Sequence, residues 1–287
     1  MGIFSSLFNY STGLVTSKPT YNYLVVAALQ EELNAFFDLT SHLSKKARKE
    51  GGAIELIYKK GKREIKILAY SPNKMGMPYN AAAIMRIILL HQPIYTFFIG
   101  TCAGLYKDKQ KPGDILIPHF IFNYESGKHT ANGDFQSDYV SFETDDEIRK
   151  FAEIIKNRVS KQYNVTTDEN FCSGGAIVDN HEKKEKIIKD SARKVSGLDM
   201  EAFSIACINS ILKEEGKKLS VIKGIMDFGE DKSESEKEQN KKLAKINSAK
   251  FALELIDYID DNIMGINQDA AITNISKGFL EMLIGIL

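Results

Sequence analysis

The chain is 287 residues long, 43% hydrophobic and 26% charged, with 38 Lys+Arg against 38 Asp+Glu and a formal net charge of +0. That length fits one large domain or two small ones, and it can bury roughly three quarters of the surface of its unfolded chain, enough for a full core. The balance excludes a disordered chain and, with no net positive charge to neutralise phosphates, a strongly electrostatic nucleic-acid binder.

Residues 1–20 read as a short Ser/Thr-rich leader; the opening MGIFSS also fits the loose N-myristoylation pattern, with Gly2 and Ser6 in place. YLVVAA at 23–28 predicts a strand and 31–39 a helix. AIELIY and EIKILAY, separated by KKGKR, predict a hairpin. A helix over 80–90 follows, then a buried strand over 94–99 ending at Gly100 and a short strand over 114–117. The polar stretch 120–139 reads as a long loop, 145–158 as a helix, 172–178 as a Gly-Gly-containing segment and 180–189 as a charged helix. Residues 196–200 lead into a helix over 201–214, and 219–226 is a strand. An acidic, Ser-rich turn at 230–235 opens a long helix to about residue 259. In the last stretch Ile272, Ile275, Phe279, Met282, Leu283 and Ile286 fall near helical spacing, giving an amphipathic tail over 263–287. The tail is too short to span a bilayer, and suits packing on the domain, a partner chain or a membrane surface.

Three cysteines, Cys102, Cys172 and Cys207, stand apart with no CxxC pair, so neither a disulfide framework nor a zinc site is expected and a reducing, cytoplasmic setting suits the chain. The five histidines (His42, His91, His119, His129 and His181) lack metal-ligand spacing, and no metal or cofactor is expected. The organisation is therefore a leader (1–20), one domain (21–262) and a tail (263–287). Strands alternating with helices imply an α/β fold whose largely parallel sheet is covered on both faces, with ligands collecting beyond the carboxyl ends of the strands.

Four segments following strands carry groups capable of chemistry. Gln30-Glu31-Glu32 opens a helix, where acids either compensate the helix dipole or act on a ligand. Gly100-Thr101-Cys102-Ala103-Gly104 is small enough to turn tightly and present N–H groups and the Thr101 hydroxyl to a ligand, or else to be a close-packed turn. Asp199-Met200-Glu201 offers carboxylates that accept from two adjacent hydroxyls, such as those of a ribose, and a flexible apolar Met200 face; the plainer alternative is a helix cap with an acidic first turn. Asp227 leaves an apolar run at a strand end, where a carboxylic acid can donate to a nitrogen leaving group or simply begin a loop.

In order and spacing these segments resemble the nucleoside phosphorylase / nucleosidase superfamily, most of all the methylthioadenosine/S-adenosylhomocysteine nucleosidases, over nearly the whole chain between its tails. AALQEE is similar to the family's GAMEEE-like run, GTCAGL to its small-residue segment, KPGDIL to VGDI and SGGAIV to SGDAF. DMEA resembles EMEA, and IMDFGED resembles the ISD motif. The resemblance implies a three-layer α/β/α phosphorylase-like fold with a central mixed, mostly parallel sheet. It implies hydrolysis of the N-glycosidic bond of a purine nucleoside, above all an adenine nucleoside, or of a 5′-substituted nucleoside or nucleotide, and release of free base. Glu32 then matches the acid that activates water, and Asp227 the acid that donates to purine N7. Gly100, Thr101 and Cys102 face the nucleophile and ribose, Met200 and Glu201 hold the sugar, and Ile177 stands where an aromatic often stacks on the base. The resemblance also implies a homo-oligomer, and a small nucleoside or nucleotide rather than nucleic acid as partner.

Met226 stands in place of the usual Ser before the acid, Ile177 in place of an aromatic, and Lys223 where an Arg is common, keeping the charge but losing the planar fork. Acids rather than arginines follow the first strand, which favours water over phosphate as nucleophile. KMGMPYNAA (74–82) looks more like the phosphorylase version of its segment, with Lys74 or Arg86 as candidate anion contacts, so phosphorolysis stays as the alternative. A regulatory nucleotide-sensing or nucleotide-cleaving effector of the same fold is the third reading; retention of Glu32, Glu201 and Asp227 together argues against a non-catalytic member.

Overall fold

The computed structural model describes residues 21–47, 50–60, 63–138, 140–176, 178, 194–228 and 233–264. The leader, most of the tail, Ile177 and the expected helix over 180–189 lie outside the described residues.

The first strand, β1 (Tyr23–Ala27), is buried along its whole length. It runs parallel between β4 (Arg63–Tyr70) and β5 (Tyr95–Gly104). Such a strand has no polar face, and its alternating side chains enter two cores. Tyr23, Val25 and Ala27 join one that includes α1 (Gln30–Leu39), α3 (Asp146–Val159) and α5 (Glu234–Ile259). Leu24 and Val26 join the other, with α2 (Met77–His91) and α4 (Ala202–Leu212). Helices on both faces of one sheet make the three-layer α/β/α arrangement expected from the strand and helix alternation.

On one side of β1 the sheet continues through β4 into the antiparallel β3 (Ile54–Lys60) and β2 (Ser44–Ala47), the hairpin read in the sequence plus an edge strand. On the other, β5 pairs in parallel with β14 (Lys218–Asp227). β14 also pairs with β6 (Ile115–Leu116), and β6 with β11 (Val165–Thr166). The tip of β5 pairs antiparallel with β13 (Val195–Asp199), which leads through β12 (Asn170–Ser173) and β7 (Phe120–Asn123) to β10 (Ser141–Glu143). The sheet is mixed, with most of its central pairs parallel.

Two local expectations are corrected. The run Gly100–Gly104 is not a turn: β5 extends through it, because Gly104 and Ala103 pair with Gly197 and Leu198 while β14 stays alongside on the other edge. The small residues lower local β-propensity, and tertiary pairing overrides it. Residues 120–139 are not one long loop either. They hold β7 and a two-stranded ribbon, β8 (Gly127–His129) and β9 (Phe135–Ser137), whose polar, exposed strands lack an apolar pattern to reveal them. The helix expected over 80–90 begins earlier, at Met77, with Pro78 in its first turn, where a missing N–H costs nothing.

Candidate active site

On β14, Leu219, Val221 and Ile225 all enter the core beneath α2 and α4. Lys223 takes the position between them on the same face and is 1% exposed. Its ammonium lies 4.2 Å from the centroid of Phe98, on the neighbouring β5. An unpaired ammonium so deep would shed its proton. Here it does the reverse. Burial opposes the charge, but Asp199, Glu32 and Glu201 together outweigh burial and hold the Lys223 pKa above its ordinary value. Three carboxylates from three elements thus face one cation.

Asp199, the last residue of β13, pairs with Lys223 at 3.3 Å through Oδ2. Its other oxygen accepts from the Ser173 hydroxyl at 2.6 Å and the Ala202 amide at 3.0 Å. Its acceptor sites are largely consumed in the protein, so Asp199 caps α4 and anchors the cation, and Glu201 is the other carboxylate of this segment. Glu201, at the mouth of α4, is 6% exposed. Its Oε1 accepts from the Gly76 amide at 2.9 Å. Burial pushes the Glu201 pKa up to about 7, with Lys223 and the Gly76 amide opposing and Asp199 and Glu32 adding to the rise.

Glu32 sits in the first turn of α1 and is 5% exposed. Its Oε1 accepts from the Thr101 amide at 2.8 Å and the Thr101 hydroxyl at 3.1 Å, and its Oε2 accepts from the Leu29 amide at 3.2 Å. Gly100 makes the convergence possible. With φ at +145°, a Cβ added there would lie 2.6 Å from Glu32 Oε1 and 3.0 Å from Lys223 Nζ, so carboxylate and ammonium close in on a position only glycine can occupy.

These contacts correct a further expectation. The N–H groups of Gly100 and Thr101 are not offered to a ligand: the first is donated to the Ser248 hydroxyl at 3.0 Å and the second to Glu32. Thr101 holds the acid in place. Cys102 is buried in the α2/α4 core, and burial pushes its thiol well above its ordinary pKa, leaving it a neutral side chain. Asp227 ends β14 where the register shifts, bringing it opposite Ala103 at the β5 tip; such an irregularity re-aims a side chain. It is half-buried, and its charge is felt at Cys102 together with those of Lys223, Asp199 and Glu32, so all three acids singled out in the sequence gather at one end of the sheet. Met200 is half-buried between Asp199 and Glu201, whereas Lys74 and Arg86 are exposed. Ile177 lies outside the described residues. Sequence reading missed the central role of Asp199 and the contribution of the Gly76 amide; the signal for the first was the lone Lys in an apolar strand, which demands a buried anion.

A hollow of about 420 Å³ between α1 and α5, lined by Glu31, Asn34, Asp38, Glu238 and Lys242 among others, touches α1 but not this cluster, and it offers no comparable convergence of groups. Among the described residues no helix is long and apolar enough to cross a membrane.

Known proteins are similar in sequence and shape. The 5′-methylthioadenosine/S-adenosylhomocysteine nucleosidase of Haemophilus influenzae (strain PittEE) is 26% identical over 244 residues, covering 82% of this chain and 98% of that protein. The Helicobacter pylori 5′-methylthioadenosine/S-adenosylhomocysteine nucleosidase superimposes with a TM-score of 0.66 at 20% identity, covering 84% of this chain and 99% of that one. The H. pylori futalosine hydrolase does so at 0.67 and 20%, with the same coverage. A family profile described as the phosphorylase superfamily matches residues 22–257, and the chain belongs to that superfamily.

Proposed function

We propose that this enzyme is a nucleosidase that hydrolyses the N-glycosidic bond of a purine nucleoside, an adenine nucleoside with a 5′ substituent being the favoured class, and releases free base. The observation that carries this reading is the composition of the strand-end cluster: Asp199, Glu32 and Glu201 against Lys223, with Asp227 at its edge. Scission of the bond between sugar and base leaves positive charge on the sugar and sends the bonding electrons to the base. An excess of carboxylates favours the cationic sugar, and Asp227 supplies a proton to the departing base nitrogen. Glu32, fixed by three donors, accepts a proton from water as its oxygen bonds to the anomeric carbon. Glu201 keeps acceptor capacity for the adjacent sugar hydroxyls.

The same charge count disfavours phosphorolysis. Lys223 is already committed to Asp199; of the described arginines, Arg63 and Arg149 are engaged in ion pairs elsewhere, Arg158 lies over Tyr258, and Arg86 is exposed on α2, where its charge acts on Tyr70. A phosphate anion would meet net negative charge. The adenine preference is supported by the names of the methylthioadenosine-cleaving relatives. A cytoplasmic setting and a homo-oligomer belong to the same proposal, the latter checked by light scattering in solution.

The test is a panel of adenine and hypoxanthine nucleosides, 5′-substituted nucleosides and nucleotides, assayed for released base with and without inorganic phosphate. Release of base and free sugar without phosphate is expected. Strict dependence on phosphate with formation of a sugar 1-phosphate would overturn hydrolysis, and release of no base from any of them would overturn the nucleosidase reading.

A further inference from the structure

Asn80 lies in the first turns of α2 and is 0% exposed. Its side-chain amide donates twice, to the Lys74 carbonyl at 2.8 Å and to the Gly76 carbonyl at 3.0 Å. Its own carbonyl oxygen is buried with no hydrogen-bond partner. A buried polar group left half-satisfied needs a reason, since an apolar side chain would fill the space without that cost. Both side-chain hydrogen bonds of Asn80 go into the loop ahead of its helix, and that loop ends in the Gly76 amide that meets Glu201.

The loop's earlier part is tied to the end of β1: the Lys74 amide and the Ser71 hydroxyl both donate to the Ala28 carbonyl, at 3.1 and 3.3 Å. Its later part must turn Gly76 to a φ of +97°, a conformation L side chains rarely adopt, for the amide to face the carboxylate. The two bonds from Asn80 bracket that turn. The Ser204 hydroxyl, donating to the Met77 carbonyl at 2.7 Å, pins the start of α2 to α4, the helix that carries Glu201.

We infer that Asn80 is a positioning residue for the sugar-binding carboxylate, clamping the 74–76 backbone so that the Gly76 amide holds Glu201 in its working orientation. The inference rests on the reading that Glu201 grips the sugar hydroxyls. The charged groups facing Glu201 are Lys223 from β14, Asp199 from β13 and Glu32 from α1, and an Asn80 substitution touches none of them. The Gly76 amide favours the ionised carboxylate, so loosening it shifts Glu201 toward its protonated form.

The experiment uses the full chain with 5′-methylthioadenosine as probe and adenine release as readout, comparing wild type, Asn80→Ala, Asn80→Ser, Glu201→Gln and the Asn80→Ala/Glu201→Gln double variant across pH. Asn80→Ala should raise KM about tenfold with kcat nearly unchanged, and move the acid limb of kcat/KM upward by about half a pH unit. Asn80→Ser, which keeps one donor, should fall between, and it carries the test if the alanine variant does not fold. The double variant should be no worse than Glu201→Gln alone, because both changes act through one carboxylate. Losses that add in the double variant, or an unmoved KM and acid limb in Asn80→Ala, would overturn the positioning role. A Glu201→Gln enzyme with wild-type KM and an intact acid limb would instead reject the sugar-clamp reading, and the inference with it.

Discussion

Among the described residues, a pair of clusters in which acids outnumber bases behave as opposites. At the far end of α5, Lys60 and Arg63 of the β3–β4 hairpin meet Asp257, Asp260 and Asp261 at 2.8 to 3.3 Å. Most of these side chains are a quarter to a half exposed, so water and salt screen their mutual repulsion. At the strand ends, Lys223 and Asp199 are 1% and 3% exposed, and the same imbalance has no solvent to absorb it. The first cluster fastens a hairpin to a helix. The second holds its excess of carboxylates out of water, and under the proposed reading a cationic sugar would relieve that imbalance.

The sharpest way to break this contrast is to remove the inner cation. Lys223→Met leaves Asp199, Glu32 and Glu201 facing one another in a dry site. Loss of one partner from a buried pair costs about 3 to 5 kcal/mol. Urea denaturation at neutral pH should register that loss, with most of it recovered at acid pH, where the orphaned carboxylates protonate. A variant as stable as wild type at neutral pH would mean that water reaches the cluster and the contrast with the hairpin is false.

Next in size are the acids assigned to proton transfer. Asp227→Asn and Glu32→Gln should each lower kcat by about 10² to 10⁴. They should differ in binding: the Glu32 variant keeps ligand affinity, whereas the Asp227 variant loses part of its grip on the base. Single-turnover adenine release, with equilibrium binding of a non-hydrolysable analogue, measures both. A wild-type rate for either variant removes that residue from the reaction.

Glu201 gives the smaller, pH-dependent effect, and its sign follows from burial. The carboxyl titrates at about 7 in the folded chain against an ordinary 4.5. Between those values the folded protein keeps a proton that the unfolded chain has released, so this group's contribution to stability is full below about pH 4.5 and is lost as pH rises toward 7. If Glu201 grips the sugar hydroxyls as proposed, they bind its ionised form, so affinity moves the other way and improves as pH rises through the same range. Glu201→Gln should flatten both slopes, read from Tm and from KM across pH 5 to 8.

The inner cluster was half legible in the sequence. Glu32, Glu201 and Asp227 stand out because each follows or ends a predicted strand, Glu32 and Glu201 where a helix opens and Asp227 where an apolar run ends. A largely parallel sheet covered on both faces is foreseeable because runs such as YLVVAA can only be buried, whereas the order of its strands is not. The Asp199–Lys223 pair is not legible: 24 positions separate the two, and only the tip of β5, pairing with β13 on one edge and β14 on the other, brings them together. That tip is itself hidden, because GTCAG has the composition of a turn and becomes a strand through its neighbours. Asn80 sits in an ordinary helical pattern, and its value lies in two carbonyl groups that no side-chain spacing encodes.

The outer cluster supplies the smallest effect and the control. Lys60 is 28% exposed and pairs with Asp257 and Asp261, themselves 49% and 46% exposed. Pairs so open to water contribute about 0.2 to 1 kcal/mol, and less as salt rises. Lys60→Ala should therefore lower stability within that range in dilute buffer, lose the difference at about 1 M salt, where the Debye length falls to about 3 Å, and leave kcat and KM untouched. A larger loss, or one that salt does not erase, would mean that the hairpin cluster is as dehydrated as the one around Lys223. Burial of the charge imbalance would then no longer separate the structural end of the sheet from its proposed chemical end.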